Sequence, residues 1–146
     1  MYRATFEFGI FNGSQDGKDA ALSMRATVHG CNFLFNCNLD YLNAHGDAVP
    51  RFYSAKLRYK SPEDACGSDI WQDIPVLLGR GFGDCKDLAC FRAAELVVKE
   101  GIDARPFVKR RFYPNGFALY HVVVIKPDGS EEDPSLALGM NPADFG

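Results

Sequence analysis

Gly79-Arg80-Gly81-Phe82-Gly83-Asp84-Cys85-Lys86-Asp87-Leu88-Ala89 is the stretch on which the reading of this chain turns. Its three glycines permit a tight turn immediately before a helix, because glycine enters left-handed backbone at no steric cost. Asp84 is then the natural N-cap, and Asp87 sits in the first turn, where free N–H groups and the positive end of the helix dipole favour a carboxylate. The helix is predicted from Cys85 to about Glu100, stopped by Gly101. Along it Ala89, Ala93, Cys90, Val97, Ala94 and Val98 sweep more than half the circumference and leave a polar stripe of Arg92, Glu95 and Lys99. This is the pattern of a mostly buried, central helix with Cys85 at its tip, a position that favours thiolate over thiol.

Downstream lie three extended segments, at about 104–112, 117–126 and 130–134, separated by Pro114-Asn115-Gly116 and Pro127-Asp128-Gly129. Both tripeptides fit three-residue hairpin loops with glycine in the left-handed position, so the segments form an antiparallel meander. The second loop sets Lys126 opposite Ser130 and therefore Asp133 opposite Val123, one diagonal step from His121 on the same face. The first sets Tyr113 opposite Phe117 and Lys109 opposite His121. A cysteine on a helix tip, a histidine and a carboxylate able to orient it are thereby assembled from two local units. Lys109 and Arg111 flank that site and would favour an acidic stretch of substrate.

Working upstream, residues 2 to 11 alternate as a half-buried strand does, and Asn12-Gly13-Ser14-Gln15-Asp16-Gly17 ends it. Lys18 to Ala44 reads as one long helix or as two joined near Gly30. An extended piece follows around Lys56 to Tyr59, then a loop, Ser61-Pro62-Glu63-Asp64, that carries Cys66 and Gly67. Trp71 to Leu78 is predicted as a short helix. The fold class is α+β, with the cysteine helix packed on an antiparallel sheet that carries the histidine and the aspartate.

At 146 residues the chain suits one domain, against roughly 150 residues per domain in general. Its hydrophobic fraction of 47%, with 12 Phe, 6 Tyr and 1 Trp, is that of an ordered protein. We divide it into an N-terminal strand and helices at 1–56, a core at 57–135 and a C-terminal tail at 136–146. A net charge of -3 removes the general phosphate attraction on which nucleic-acid binding leans, apart from Lys109-Arg110-Arg111. Neither a membrane span nor a signal-peptide core is visible, so a cytoplasmic protein without membrane or nucleic-acid partners is expected. The 5 cysteines form no CxxC pair and suit reduced thiols. His29, Cys31, Cys37 and Cys66 match no structural zinc spacing, and no metal or other cofactor is implied.

Gly83-Asp84-Cys85-Lys86-Asp87-Leu88-Ala89, Gly101-Ile102-Asp103-Ala104-Arg105, Tyr120-His121-Val122-Val123-Val124 and Asp133-Pro134-Ser135, in that order, resemble the transglutaminase-like (papain-like) cysteine protease superfamily. The likeness covers about residues 57 to 135. The fuller run from Trp71-Gln72-Asp73-Ile74-Pro75 through Ala93-Ala94-Glu95-Leu96 resembles the short single-domain members encoded by bacteriophages. The resemblance implies that Cys85 attacks a carbonyl, His121 moves the proton and Asp133 holds the imidazole. Trp71 and Gln72 are then candidates to complete the oxyanion hole, with Asp84 and Lys109 beside them for substrate binding. The family often has Ala-Trp after its histidine where this chain has Val122-Val123, which bears on cleft shape, and it has no obvious equivalent of the cysteine-rich stretch from 31 to 37. The implied activity is hydrolysis of a peptide, isopeptide or other amide bond through a thioester, on a protein or peptide such as a phage structural protein in the host cytoplasm or the virion. Amine-accepting acyl transfer, or a non-enzymatic virion or assembly protein that keeps the fold, are the alternatives.

Overall fold

The computed structural model describes residues 17–61, 70–112, 114 and 118–144. The expected strand at 2–11, the loop carrying Cys66 and the Pro114-Asn115-Gly116 connection lie, wholly or in their greater part, outside them. The described chain is a mixed α+β structure in which one helix, α3 (Cys85–Glu100), is packed on several sides. Leu88, Ala89, Cys90, Phe91, Ala93 and Ala94 are fully buried on it. Ala89, Cys90, Ala93 and Leu96 meet Cys31 and Leu34 of α1 (Gly17–His45) and Val108, Val122 and Val124 of the sheet. Leu88, Phe91 and Ala94 meet Leu42, Val49, Phe52, Leu57, Ile74 and Leu77.

The polar stripe on α3 is covered rather than solvated. Glu95 is buried and accepts from the Phe52 backbone N–H at 2.7 Å and from Arg92 at 2.7 Å. Lys99 donates to the Gly46 carbonyl at 2.6 Å. These side chains hold down the 3-10 turns at Gly46–Ala48 and Phe52–Ser54, whose backbone polar groups need partners.

α1 runs unbroken through Gly30, so the two-helix alternative is excluded. The glycine is there for space: a Cβ would lie 2.5 Å from Trp71 Cη2 and 2.7 Å from Cζ3. Gly30→Ala tests this. Helix propensity alone gives alanine about 1 kcal/mol over glycine, whereas overpacking against a ring costs about 1–3 kcal/mol. We expect a lower urea midpoint than wild type, and a raised midpoint would mean that Trp71 moves aside freely.

α2 (Ile74–Arg80) starts three residues later than the Trp71 expected from the sequence. Asp73 caps it by accepting from the Val76 N–H at 3.2 Å, and Pro75 lies in its first turn, where a missing N–H costs nothing. Gly81, at φ 81°, closes it in left-handed backbone. Phe82–Gly83 then forms β2, parallel to β1 (Arg58–Tyr59), with Arg58 opposite Phe82 and Tyr59 opposite Gly83.

The antiparallel sheet is β3 (Arg105–Phe112), β4 (Ala118–Ile125) and β5 (Glu131–Glu132). Both expected registers are present: Lys109 pairs with His121, and Lys126 N–H donates to Ser130 O at 3.0 Å. β5 is shorter than the predicted 130–134, because Asp133 leaves the ladder to cap α4 (Pro134–Ala137). No helix among the described residues is long and apolar enough to cross a membrane.

Candidate active site

The tip of α3 is built from a capping box. Asp84, in extended backbone, accepts from the N–H groups of Lys86 at 3.2 Å and Asp87 at 3.4 Å. Asp87 reaches back to the Asp84 N–H at 3.2 Å, so orphan donors of the first turn are satisfied reciprocally. Asp87 also accepts from the Gln72 N–H at 2.8 Å and from Gln72 Nε2 at 3.0 Å. Burial and the neighbouring Asp84 carboxylate push Asp87 up to about 7, against the pull of Lys86 and the Gln72 donors. Lys86, itself buried, pairs with Asp84 and lies 5.2 Å from the centre of the Trp71 ring.

This network engages three residues that the sequence set around the triad. Gln72 has two amide hydrogens, one directed to Asp87 and the other to the Phe82 carbonyl at 3.1 Å, so it holds no donor for an oxyanion. Asp84 spends its oxygens on its own helix and on Lys86, which makes it a cap and not a substrate contact. Trp71 is half-buried, with its benzo edge against Gly30 and its ring packed on the core between α1 and the sheet. Lys109 stands opposite His121 as expected, but its ammonium is paired with Glu131 at 2.9 Å.

His121 and Asp133 meet directly: His121 Nε2 and Asp133 Oδ2 are 2.7 Å apart, and the histidine is buried. The carboxylate serves two elements at once, since its Oδ1 accepts from the N–H groups of Ser135 at 3.1 Å and Leu136 at 3.3 Å and so caps α4. Hydrogen bonds alternate between the two sides of an antiparallel strand. With Lys126 bonded to Ser130, the N–H groups of Val124 and Val122 also point to the β5 side. β5 has ended by Val122, and the Cys85 thiol takes that N–H. Cys85 is therefore brought to the backbone of the residue next to His121, at the edge of β4 where Asp133 turns away. The short β5 was the missing signal for this donor: a strand reaching 134 would have occupied it.

Cys85 is only partly exposed, and its thiol is pushed up to about 12, first by burial and then by the Asp84 carboxylate. The Val122 N–H and the Lys86 ammonium act in the opposite direction and are outweighed. The thiolate expected from the helix-tip position is thus not the resting form. Burial is the larger cause and the cap adds to it: Asp84 takes the N–H groups of Lys86 and Asp87 that would have stabilised a thiolate, and brings its own negative charge beside the sulfur.

Cys90 and Cys31 are buried, and Cys90 Sγ lies 3.5 Å from the Cys31 carbonyl oxygen. Comparison with protein-family models, with curated proteins and with solved structures finds no match.

Proposed function

We propose that the protein is a cysteine hydrolase of the transglutaminase-like type, acting on an amide bond of a protein or peptide. The observation that carries the reading is the 2.7 Å contact between His121 Nε2 and Asp133 Oδ2 at the strand edge where the Cys85 thiol meets the Val122 N–H. With Nε2 turned to Asp133, Nδ1 is the ring atom for the thiol's proton. As that proton passes to His121, the sulfur bonds to the carbonyl carbon. The imidazolium, steadied by Asp133, then protonates the leaving amine as the carbon–nitrogen bond breaks. Water, deprotonated by His121, attacks the thioester, and release of the carboxylic acid returns the thiol. The raised Cys85 thiol supports this general-base order, in which proton transfer and attack go together, over a preformed ion pair. An amine in place of water would give acyl transfer with the same residues.

The same raised thiol favours a second reading, a non-enzymatic protein with an inert cysteine. Incubation with a peptidyl vinyl sulfone and with a fluorescent primary amine plus a glutamine-containing protein separates the three. Covalent capture at Cys85 that needs His121 supports an enzyme, and amine incorporation moves the reading to acyl transfer. Capture that is no faster than in denatured protein would leave the non-enzymatic reading.

A further inference from the structure

Phe82, three residues before Cys85, carries two cations on its ring: Lys60 Nζ is 4.4 Å and Arg80 Cζ 4.6 Å from its centre. Arg58, paired with Phe82 across the parallel ladder, adds a third basic side chain, and Lys60 follows it on the same side of β1. None of the three makes an ion pair with a carboxylate among the described residues, whereas Lys86, Arg92, Lys109 and Lys126 each have one. The two ring-bound charges lie within about 10 Å of each other, no farther than one Debye length at 0.1 M salt, so they repel, and no carboxylate among the described residues pairs with either. Cation–π contact offsets part of that cost, at about 0.5–1 kcal/mol for an exposed pair. A bound carboxylate would offset more, because it is attracted to all three.

We infer that Arg58, Lys60 and Arg80, arranged around Phe82, form a docking site for an acidic segment of the peptide substrate. This inference rests on the hydrolase reading and names its substrate class. The chain from Phe82 to Cys85 spans at most about 10 Å when extended, so a segment held at Phe82 is within three or four residues of the bond presented to Cys85. The sequence alone pointed to Lys109 and Arg111 for acidic preference; Lys109 is paired with Glu131, and the cations around Phe82 are the better candidates.

The test separates docking from turnover. Cys85→Ala protein is titrated with a fluorescent peptide containing three consecutive glutamates and with its glutamine counterpart, and wild type is assayed on both for cleavage. The glutamate peptide should bind at least tenfold more tightly at low salt. The double variant Lys60→Glu/Arg80→Glu should lose that preference, Lys60→Gln/Arg80→Gln should lose part of it, and Arg25→Glu, which matches the charge change of the glutamine double variant but lies on α1, should retain it. Equal affinity for the two peptides, or a preference that survives both double variants, overturns the inference. So does an RNA oligonucleotide that binds this surface more tightly than the acidic peptide. Preferential binding with no cleavage of either peptide would uphold the docking site and overturn the hydrolase reading.

Discussion

Cys85→Ala is expected to abolish turnover of any amide substrate, and His121→Gln to lower kcat/KM by about 10²–10⁴-fold, the usual worth of a general base. Asp133 separates orientation from capping. Asp133→Asn retains a side chain that caps helices well but turns a neutral amide to His121, so activity should fall steeply while stability changes little. Asp133→Ala loses both, adding about 1 kcal/mol of destabilisation for the lost cap. Because the thiol is pushed up to about 12, it stays protonated through the neutral range, and alkylation of Cys85 by iodoacetamide should accelerate as pH rises. Rapid labelling sustained down to pH 5 would show a resting thiolate and refute this account of the tip. Cys31 and Cys90, buried to 1% and 0%, should label only on unfolding.

The largest loss of stability is expected from Arg92→Ala, at about 3–5 kcal/mol, the usual cost of breaking a buried charge network on one side. Arg92 holds Glu132 through Nε at 2.6 Å and Nη2 at 3.3 Å, and it also holds Glu95. Tyr53 donates to the same Glu132 carboxylate at 2.9 Å. Without the guanidinium, Glu95 is left 1% exposed with only the Phe52 N–H among these partners. Burial alone would raise the Glu132 carboxyl, but the hydrogen bonds of Arg92 and Tyr53 prevail and keep it below its ordinary range. A depressed folded pKa contributes stability above the unfolded value, and that contribution is lost as pH falls through the folded one. Wild type should therefore weaken below about pH 4.5, a reference value for an unperturbed glutamate, and this acid step should shrink in Arg92→Ala. Urea midpoints of both proteins between pH 3 and 7 measure it, and an unchanged midpoint in the variant would show the network to be worth nothing.

What could be read in advance was local. The cap at Asp84, the stop at Gly101 and the two hairpin registers depend on residues a few positions apart, so they appear in the structure as the sequence predicts. What escaped notice needed a distant partner. Gly30 resembles a helix break until Trp71 is placed on it, and Gln72 resembles an oxyanion donor until Asp87 and Phe82 take its hydrogens. Arg92 and Glu95 look solvated because helical spacing cannot show that Phe52, Tyr53 and Glu132 come to lie over them. Arg58, Lys60 and Arg80 are dispersed over more than twenty positions and meet only because a two-residue parallel ladder joins segments with no pairing signal of their own.

The division of labour within the Asp133 carboxylate bears on how the chain comes into use during its synthesis. One oxygen waits for the N–H groups of Ser135 and Leu136, and the segment they begin is tied back to β1 by the Tyr59 N–H donating to Leu138 O and closed on itself by the Met140 N–H donating to Ser135 O. These residues leave the ribosome after α1, α3 and β4, so the nascent chain can bury its central helix while the imidazole still lacks its anchor. On the hydrolase reading proposed above, a chain stalled or clipped before Ser135 would then be largely structured yet inert.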